Sequence, residues 1–507
     1  MQPLGTRRWW VLGALVVIMV TVSLDLTALN VALPTLAADL RAGTGELQWI
    51  IDSYTLVSAT LLIPAGLLGD RYGRKKLLLV GLAAFLVASV TATLVHSSGG
   101  LIAARTLMGL GAAIITPLCL SVLVAVFPRA EQPKALAAWA GASFLGLPLG
   151  TIIGGYLLDH FWWGSIFLVN IPVAGIALLA AVLLIPETRA AVAPRTDVIG
   201  LLLSTGGLLA VVYGTIEQPE RGWGSPLVWG TMAGGLAALA AFVGWTRRSS
   251  DPLIDLELFR DRRFLGGALP ATILTFAMFG VLFTVPQYLQ AVQGQDALGT
   301  GIRLLPMIAG LVVTARLGPG LARRHGPRAV IVGGLIVLVA GATTGGFTSV
   351  HDGYGPVALW LTIVGLGMGL VLPAAMDSAM GALSAERAGV GSAVLMTVRM
   401  TGGAFGAAIL GSLLATTYRD RLPASAPAPV RQGVTAGVTL AERLGDPALL
   451  GSVRSAFVHG MNATLLASAG LMAITALVVP FLVPGRRDQG APAAEHAGES
   501  THDHVAA

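Results

Sequence analysis

Long apolar runs alternate with short polar segments along the whole chain. A helix that crosses the hydrocarbon core of a membrane needs about 20 mostly apolar residues, and fourteen runs of this kind can be marked. They lie at 9–31, 47–68, 77–96, 100–126, 136–158, 165–185, 198–217, 227–246, 264–287, 301–319, 328–349, 356–380, 390–415 and 456–482. The pattern predicts an all-α polytopic membrane protein with fourteen transmembrane helices.

The composition supports the same class. Of 507 residues, 55% are hydrophobic and 11% are charged, whereas a soluble globular protein carries about 25% charged residues. This scarcity argues against an aqueous enzyme, a nucleic-acid binder or a disordered scaffold. The single cysteine, Cys119, excludes an intrachain disulfide and a cysteine-cluster metal site.

The basic residues predict the orientation. Most of the 32 Lys and Arg fall in loops on one side of the predicted membrane, including the run Arg71–Lys76 and the connector at 247–263. Cytoplasmic loops carry such an excess, so both termini are expected in the cytoplasm. The polar segment 416–455 is then external and partly ordered, and the tail after Pro484 is expected to be disordered.

A short motif follows the second run. Glycines at a helix end permit a tight reversal, and basic residues mark the cytoplasmic side. The motif consists of Gly66, Asp70, Arg71, Gly73 and Arg74. A weaker echo at 322–326 predicts two related halves, as in transporters with internal repeats.

Three charged residues fall inside predicted spans at similar depth: Asp25, Asp52 and Arg105. A charge in a membrane span costs about 2.5–3.5 kcal/mol on insertion scales, so each requires a reason. A movement of Arg105 relative to Asp25 would change the proton affinity of the carboxylate. The alternative is a fixed ion pair that ties helices together, and Asp52 could simply lie in an interface.

A stripe of small residues marks the fifth run. It comprises Gly146, Gly150, Gly154 and Gly155, with Pro148 among them. Such stripes allow close helix packing, which could seal the two halves against proton leakage or serve packing alone.

These segments resemble the major facilitator superfamily, in its drug:proton antiporter branch with fourteen spans. The loop motif around Asp70 is one match. The others are LDLTALNVALP at 24–34, LIAARTLMGLGAA at 101–113, GLPLGTIIGG at 146–155 and GVGSAVLMTVRMTGGA at 389–404. The resemblance implies two six-helix halves, 1–186 and 263–485, two extra central helices in 187–262, and a tail at 486–507.

The resemblance also indicates a substrate cavity and an inner gate. The candidate cavity residues are Asn30, Met108, Glu217, Met396, Arg399 and Met400, and the candidate inner gate residue is Asp377. Met108, Met396 and Met400 replace polar residues that are usual in the family. Methionine adapts to irregular shapes, so the cavity is expected to be more apolar.

The predicted function is proton-coupled export of amphipathic drugs or antibiotics across the bacterial inner membrane by alternating access. A dedicated exporter of an endogenous natural product or lipid is the first alternative, and a membrane sensor or membrane enzyme the second. The sequence has no P-loop, HExxH or GxSxG motif in an aqueous segment. The energy is therefore expected from a proton gradient with no cofactor or metal, and the partners are a small molecule, protons and the bilayer. No nucleic-acid partner is expected, and the protein is expected to be a monomer.

Overall fold

The structure is a computed structural model that describes residues 7–128, 131, 135, 149–187, 197–249, 256–381 and 388–483. All regular secondary structure in these ranges is helical. The first half contains α1 (Arg7–Asp39), α2 (Thr44–Tyr72), α3 (Arg74–Leu94), α4 (Ser98–Val126), α5 (149–160), α6 (Ser165–Leu168) and α7 (Asn170–Leu184). The fold class, all-α with the helices of a polytopic membrane protein, is confirmed.

Two further helices, α8 (Val198–Arg221) and α9 (Pro226–Thr246), form a hairpin. A short 3-10 helix, Leu256–Arg260, precedes the second half. That half contains α10 (Arg262–Gln287), a π-helical turn (Tyr288–Val292), α11 (Ala297–Arg303), α12 (Leu305–His325), α13 (Pro327–Gly345), α14 (Tyr354–Gly381), α15 (Ala388–Arg421), α16 (Ala428–Gln432), α17 (Val434–Leu444) and α18 (Pro447–Leu482).

Twelve spans within the described residues are long and apolar enough to cross a membrane. The predicted second run lies in α2, a continuous helix of 29 residues. Of the predicted fifth run, the described part is helical at 149–160. The count of fourteen transmembrane helices stays a prediction.

Single glycines make the sharp turns between consecutive helices. Gly73 joins α2 to α3 at φ +119, and Gly326 joins α12 to α13 at φ +86. Side chains other than glycine rarely adopt these backbone angles, so one residue suffices for each reversal. The two junctions stand at the aligned positions of the repeat that the sequence predicts.

The two halves meet along α2 and α15, and also along α1 and α10. Several hydrogen bonds cross between the halves at the end predicted to be external. The Gln48 amide donates to the Ala407 carbonyl at 3.3 Å, and Gln290 donates to the Val31 carbonyl at 2.9 Å. Asp159 accepts bonds from the backbone N–H groups of Ala297 and Leu298 at 3.0 and 2.9 Å. These contacts close this end of the bundle.

The predicted external segment 416–455 is mostly helical. Helix α15 continues to Arg421, α16 and α17 follow, and α18 begins at Pro447. The segment contacts both halves and the hairpin, because Thr44 of α2 donates to the Gln432 carbonyl at 2.9 Å and Arg419 donates to the Pro219 carbonyl. The predicted partial order is thus found as short helices packed over this end.

The packing of α4 against α2 gives a stability prediction. A Cβ atom on Gly109 would lie 2.6 Å from the Tyr54 carbonyl oxygen, so the helices would have to separate. Because overpacking costs typically about 1–3 kcal/mol, we expect Gly109→Ala to lower the melting temperature of the purified protein in thermal unfolding. The matched control is Gly13→Ala in α1, because a Cβ atom there would meet no packed neighbour within 4 Å. This variant should leave the melting temperature unchanged or slightly raised. An unchanged melting temperature for Gly109→Ala would contradict this packing.

Candidate functional site

A buried ion pair lies among the helices of the first half. Arg105 Nη1 of α4 is 2.6 Å from Asp25 Oδ2 of α1, and the two side chains are 1% and 2% exposed. The sequence placed these residues at similar depth, and the structure brings them into direct contact. A charge-assisted hydrogen bond of this length is among the strong polar contacts in proteins.

Neighbouring groups complete the polar contacts of the pair. Asn170 Nδ2 of α7 donates to Asp25 Oδ1 at 2.8 Å. Arg105 Nε donates to the Ile50 carbonyl at 3.2 Å, and its guanidinium lies over the Tyr54 ring at 4.2 Å from the centroid. The carboxylate and the guanidinium therefore connect α1, α2, α4 and α7.

Sequence reasoning missed Asn170 and Tyr54. The signal for Asn170 is a single amide in the apolar run Ile166–Ala174, directly before Ile171 and Pro172. An amide in a membrane span needs a hydrogen-bond partner, and here the partner is Asp25. Tyr54 carries no comparable signal, because its role depends on how α2 packs against α4.

Asp52 lies apart from this cluster. It is 0% exposed, and neither of its carboxylate oxygens has a hydrogen-bond partner within the described residues. It stands one turn after Gln48 on α2, and residues four apart share a helix face. Because Gln48 donates to the carbonyls of Ala407 and Ala408 on α15, Asp52 stands on the face of α2 that meets the other half.

The predicted cavity residues lie in different environments. Asn30 donates to the Leu26 carbonyl of its own helix at 2.7 Å. Glu217 Oε2 pairs with Arg221 Nε one turn away at 2.6 Å. Met108 is fully buried, with its sulfur 3.9 Å from Arg105 Nη1, so it packs against the ion pair.

The residues of the second half are more open. Arg399, Met396 and Met400 are half-buried, and Arg399 Nη1 lies 3.7 Å from the sulfur of Met376. Asp377, the predicted inner gate residue, is exposed on α14.

The carboxylate of Glu187, which follows the end of α7, contacts the turn motif. A Cβ atom on Gly73 would lie 2.6 Å from Glu187 Oε1. The same oxygen accepts a bond from the Lys75 backbone N–H at 3.2 Å. Arg74 donates to the Ser121 carbonyl of α4 at 3.4 Å. The side chain of Asp70 lies outside the described residues, whereas Arg71 is exposed. A Cβ atom on Gly66 would lie 3.7 Å from Pro117 Cβ.

The described part of the glycine stripe allows close helix contacts on two sides. A Cβ atom on Gly150 or Gly154 would collide with Leu24, Thr27 or Ala28 of α1. On Gly155 it would lie 2.7 Å from Leu298 Cα in the second half. Helix α5 therefore packs between α1 of its own half and α11 of the second half. Gly146 and Pro148 lie outside the described residues.

A bundle of apolar spans around a buried ion pair, with two halves in contact at one end, is the architecture of a membrane transporter. Comparison with known proteins agrees, since the family described as Major Facilitator Superfamily matches residues 15–407. The chain belongs to this family.

Related proteins carry names of resistance and efflux. The Tetracenomycin C resistance and export protein of Streptomyces glaucescens is 32% identical over 96% of this chain and 94% of its own length. Multidrug efflux pump LfrA of Mycolicibacterium smegmatis is 32% identical over 94% of this chain and 96% of its own length. A probable actinorhodin transporter of Streptomyces coelicolor is 35% identical over 81% and 73%.

Solved structures agree on the fold. A bacterial homolog of the human lysosomal transporter Spinster, crystallised in an inward-facing and occupied conformation, superposes with a TM-score of 0.68. It is 17% identical and covers 94% of this chain and 96% of its own. This likeness shows the major-facilitator fold.

The burial of the ion pair predicts a strong effect of neutralising one partner. Removal of one member of a buried pair costs about 3–5 kcal/mol, since the other charge is left uncompensated. We expect Asp25→Asn to lower the melting temperature of the purified protein clearly.

The matched control is Glu131→Gln. Glu131 pairs with Arg8 at 2.7 Å, but the two side chains are 31% and 21% exposed. Solvent-exposed pairs contribute about 0–1 kcal/mol, so this partly exposed control should lower the melting temperature less than Asp25→Asn does. Equal shifts for both variants would show that burial does not set the strength of the Asp25–Arg105 pair.

Proposed function

We propose that this protein exports amphipathic drugs or antibiotics across the bacterial inner membrane in exchange for protons. The observation that carries the proposal is the buried contact of Asp25 with Arg105. The relatives named for multidrug efflux and for antibiotic resistance support export as the direction of transport.

Proton coupling follows from the competition between Arg105 and a proton for Asp25. Arg105 Nη1 lies 2.6 Å from Asp25 Oδ2, so on this proposal the guanidinium and a proton occupy the same position at the carboxylate in turn. A conformational change that separates the two side chains would open that position to a proton. Substrate binding and proton binding would thus be linked through the position of α4 relative to α1.

Alternating access supplies that conformational change. The hydrogen bonds between the halves at the predicted external end, such as that from Gln290 to Val31, support a state closed to the outside. On this proposal the carrier releases its proton to the cytoplasm in this state. Rocking of the halves about a central site would then expose Asp25 to external protons.

A proton gradient provides enough energy for this exchange. One charge that moves through 100 mV is worth about 2.3 kcal/mol, or roughly a fifty-fold concentration ratio. If the substrate is a monocation exchanged for one proton, the voltage contribution cancels and only the pH difference drives export. On this proposal the protein is neither an enzyme nor dependent on a cofactor or metal, and it acts as a monomer.

A second candidate function is export of one endogenous natural product. It is favoured by relatives named for export of tetracenomycin C and transport of actinorhodin. A broad panel of compounds separates the two functions, because a multidrug exporter moves several unrelated amphipathic compounds and a dedicated exporter moves one chemical series.

The coupling is tested in inverted membrane vesicles by substrate-dependent proton release across such a panel. We expect Asp25→Asn to lose at least about 90% of this proton release, because the variant residue cannot exchange a proton at that position. Asp52→Asn tests whether the second buried carboxylate takes part. The control Glu131→Gln should retain wild-type proton release.

Full proton-coupled efflux by Asp25→Asn would contradict the assignment of Asp25. The absence of any proton release by the wild type, with every compound tested, would contradict drug:proton antiport itself. Direct substrate binding to both proteins distinguishes a coupling defect from loss of the fold.

The proposed orientation, with both termini in the cytoplasm, is tested by cysteine labelling of intact cells. The native Cys119 is buried, so it gives little background. His351 and His325 are both exposed and lie at opposite ends of the bundle. An impermeant maleimide should label His351→Cys but not His325→Cys, and the reverse pattern would invert the proposed topology.

A further inference from the structure

A side cavity of about 310 Å³ lies between the two halves and the extra hairpin. Its lining residues come from five helices: α2, α8, α9, α10 and α15. They include Thr60, Ser204, Leu208, Phe242, Thr272 and Thr397. Asp25 and Arg105, the two residues of the proposed proton coupling, are not among the lining residues.

The hairpin forms the outer wall of this cavity. Helix α8 packs against α2 of the first half and α15 of the second. Ser204 and Leu208 of α8, with Leu239 and Phe242 of α9, therefore cover the crevice between the halves. The two extra helices thus form one wall of a partly open cavity.

The cavity lies on the side of the membrane predicted to be cytoplasmic. Ser204 is six residues from the start of α8, and Phe242 is four residues before the end of α9. At about 1.5 Å per residue, both lie within roughly 10 Å of the cytoplasmic helix ends. Thr60 and Phe405 lie near the middle of α2 and α15, so the cavity extends from the inner leaflet toward the middle of the membrane.

The lining is uncharged and largely apolar, and most of its hydroxyl groups are already paired. Thr60, Ser204 and Thr272 each donate to a carbonyl of their own helix at 2.9, 3.1 and 2.7 Å. Thr397 differs, because its Oγ1 is buried without a hydrogen-bond partner within the described residues, and the residue is 9% exposed. A buried hydroxyl without a partner costs free energy, and a ligand acceptor would recover it after a rotation of the Thr397 side chain that turns Oγ1 toward the cavity.

We propose that this side cavity binds the uncharged ring portion of a compound dissolved in the inner leaflet, with Thr397 donating a hydrogen bond to a carbonyl oxygen of that compound. The inference rests on the proposed export function and assigns an entry site to it. A charged or strongly polar group is disfavoured there, because no lining residue could compensate it. The volume is at the lower end of the range of small-molecule pockets, about 300–1,000 Å³, which suits a compact ring system rather than a whole large drug.

The site is tested with benzophenone, a neutral diaryl ketone that crosslinks on illumination. The wild-type protein in lipid nanodiscs is illuminated with the probe, and the labelled peptides are located by mass spectrometry. We expect labelling within 204–208, 239–242 and 397–405, because these segments line the cavity. Labelling confined to lipid-facing positions would overturn the proposal.

Two variants separate the volume of the cavity from its hydrogen bond. Leu208→Trp fills the space and should reduce labelling of the cavity segments at least about tenfold. Thr397→Val keeps the shape and removes the donor, so labelling should fall about two- to tenfold, the range expected for one hydrogen bond. The control Leu202→Trp places the same side chain on the exposed face of α8, where Leu202 is 66% exposed, and should label as the wild type does.

Each remaining outcome decides the proposal. If Leu208→Trp is labelled as strongly as the wild type while its melting temperature is unchanged, the proposal is overturned. It is also overturned if Leu202→Trp loses as much labelling as Leu208→Trp. Native mass spectrometry that finds a phospholipid held by the wild type and lost in Leu208→Trp, without benzophenone labelling, would assign the cavity to lipid instead. Because labelling needs no transport, a failure of proton-coupled export in vesicles is measured independently of a failure of this site.

Discussion

The contact between Asp25 and Arg105 is the constraint on which the other polar features of the first half depend. Both charges lie in helices surrounded by apolar side chains, where an isolated charge is costly, and each is 2% exposed or less. The pair compensates both charges, and Asn170 and the Ile50 carbonyl take up further polar atoms of the two side chains. Helices α1, α2, α4 and α7 are thereby held at one register, so a change in this contact is also a change in how these helices pack.

Three glycines of α5 bring α1, which carries Asp25, close to the second half. Helix α5 approaches α1 at Gly150 and Gly154, and it approaches the second half at Gly155. Helix α5 is therefore in close contact with α1 on one side and with α11 on the other. On the opposite side, α2 carries Asp52 without a partner within the described residues on the face that meets α15. The extra hairpin packs over the same crevice through α8, which contacts both α2 and α15, and it forms one wall of the side cavity.

Much of this arrangement was predictable because it follows from local physics. Apolar runs of membrane length became helices, the glycines at 73 and 326 became turns, and Asp25 met Arg105 at the depth that helix rise implies. Other features were not predictable from the pattern. Met108 was expected in a cavity but packs on the ion pair, Glu217 pairs with Arg221 in its own helix, and Asn170 was overlooked. In each case the outcome depends on the rotation of one helix against another, and a long apolar run has no polar face that would reveal this rotation.

The sequence by itself determined that the chain is a polytopic helical membrane protein with few charges inside its spans, because hydrophobic length and charge scarcity act locally on each segment. It also determined where the polar turns fall and which charged residues needed a partner. Only the tertiary structure decided that Asp25 has partners on two helices while Asp52 has none within the described residues. It likewise decided that the hairpin forms one wall of a cavity between the halves. These outcomes depend on which helix faces meet, and packing between helices that are distant in sequence sets those faces.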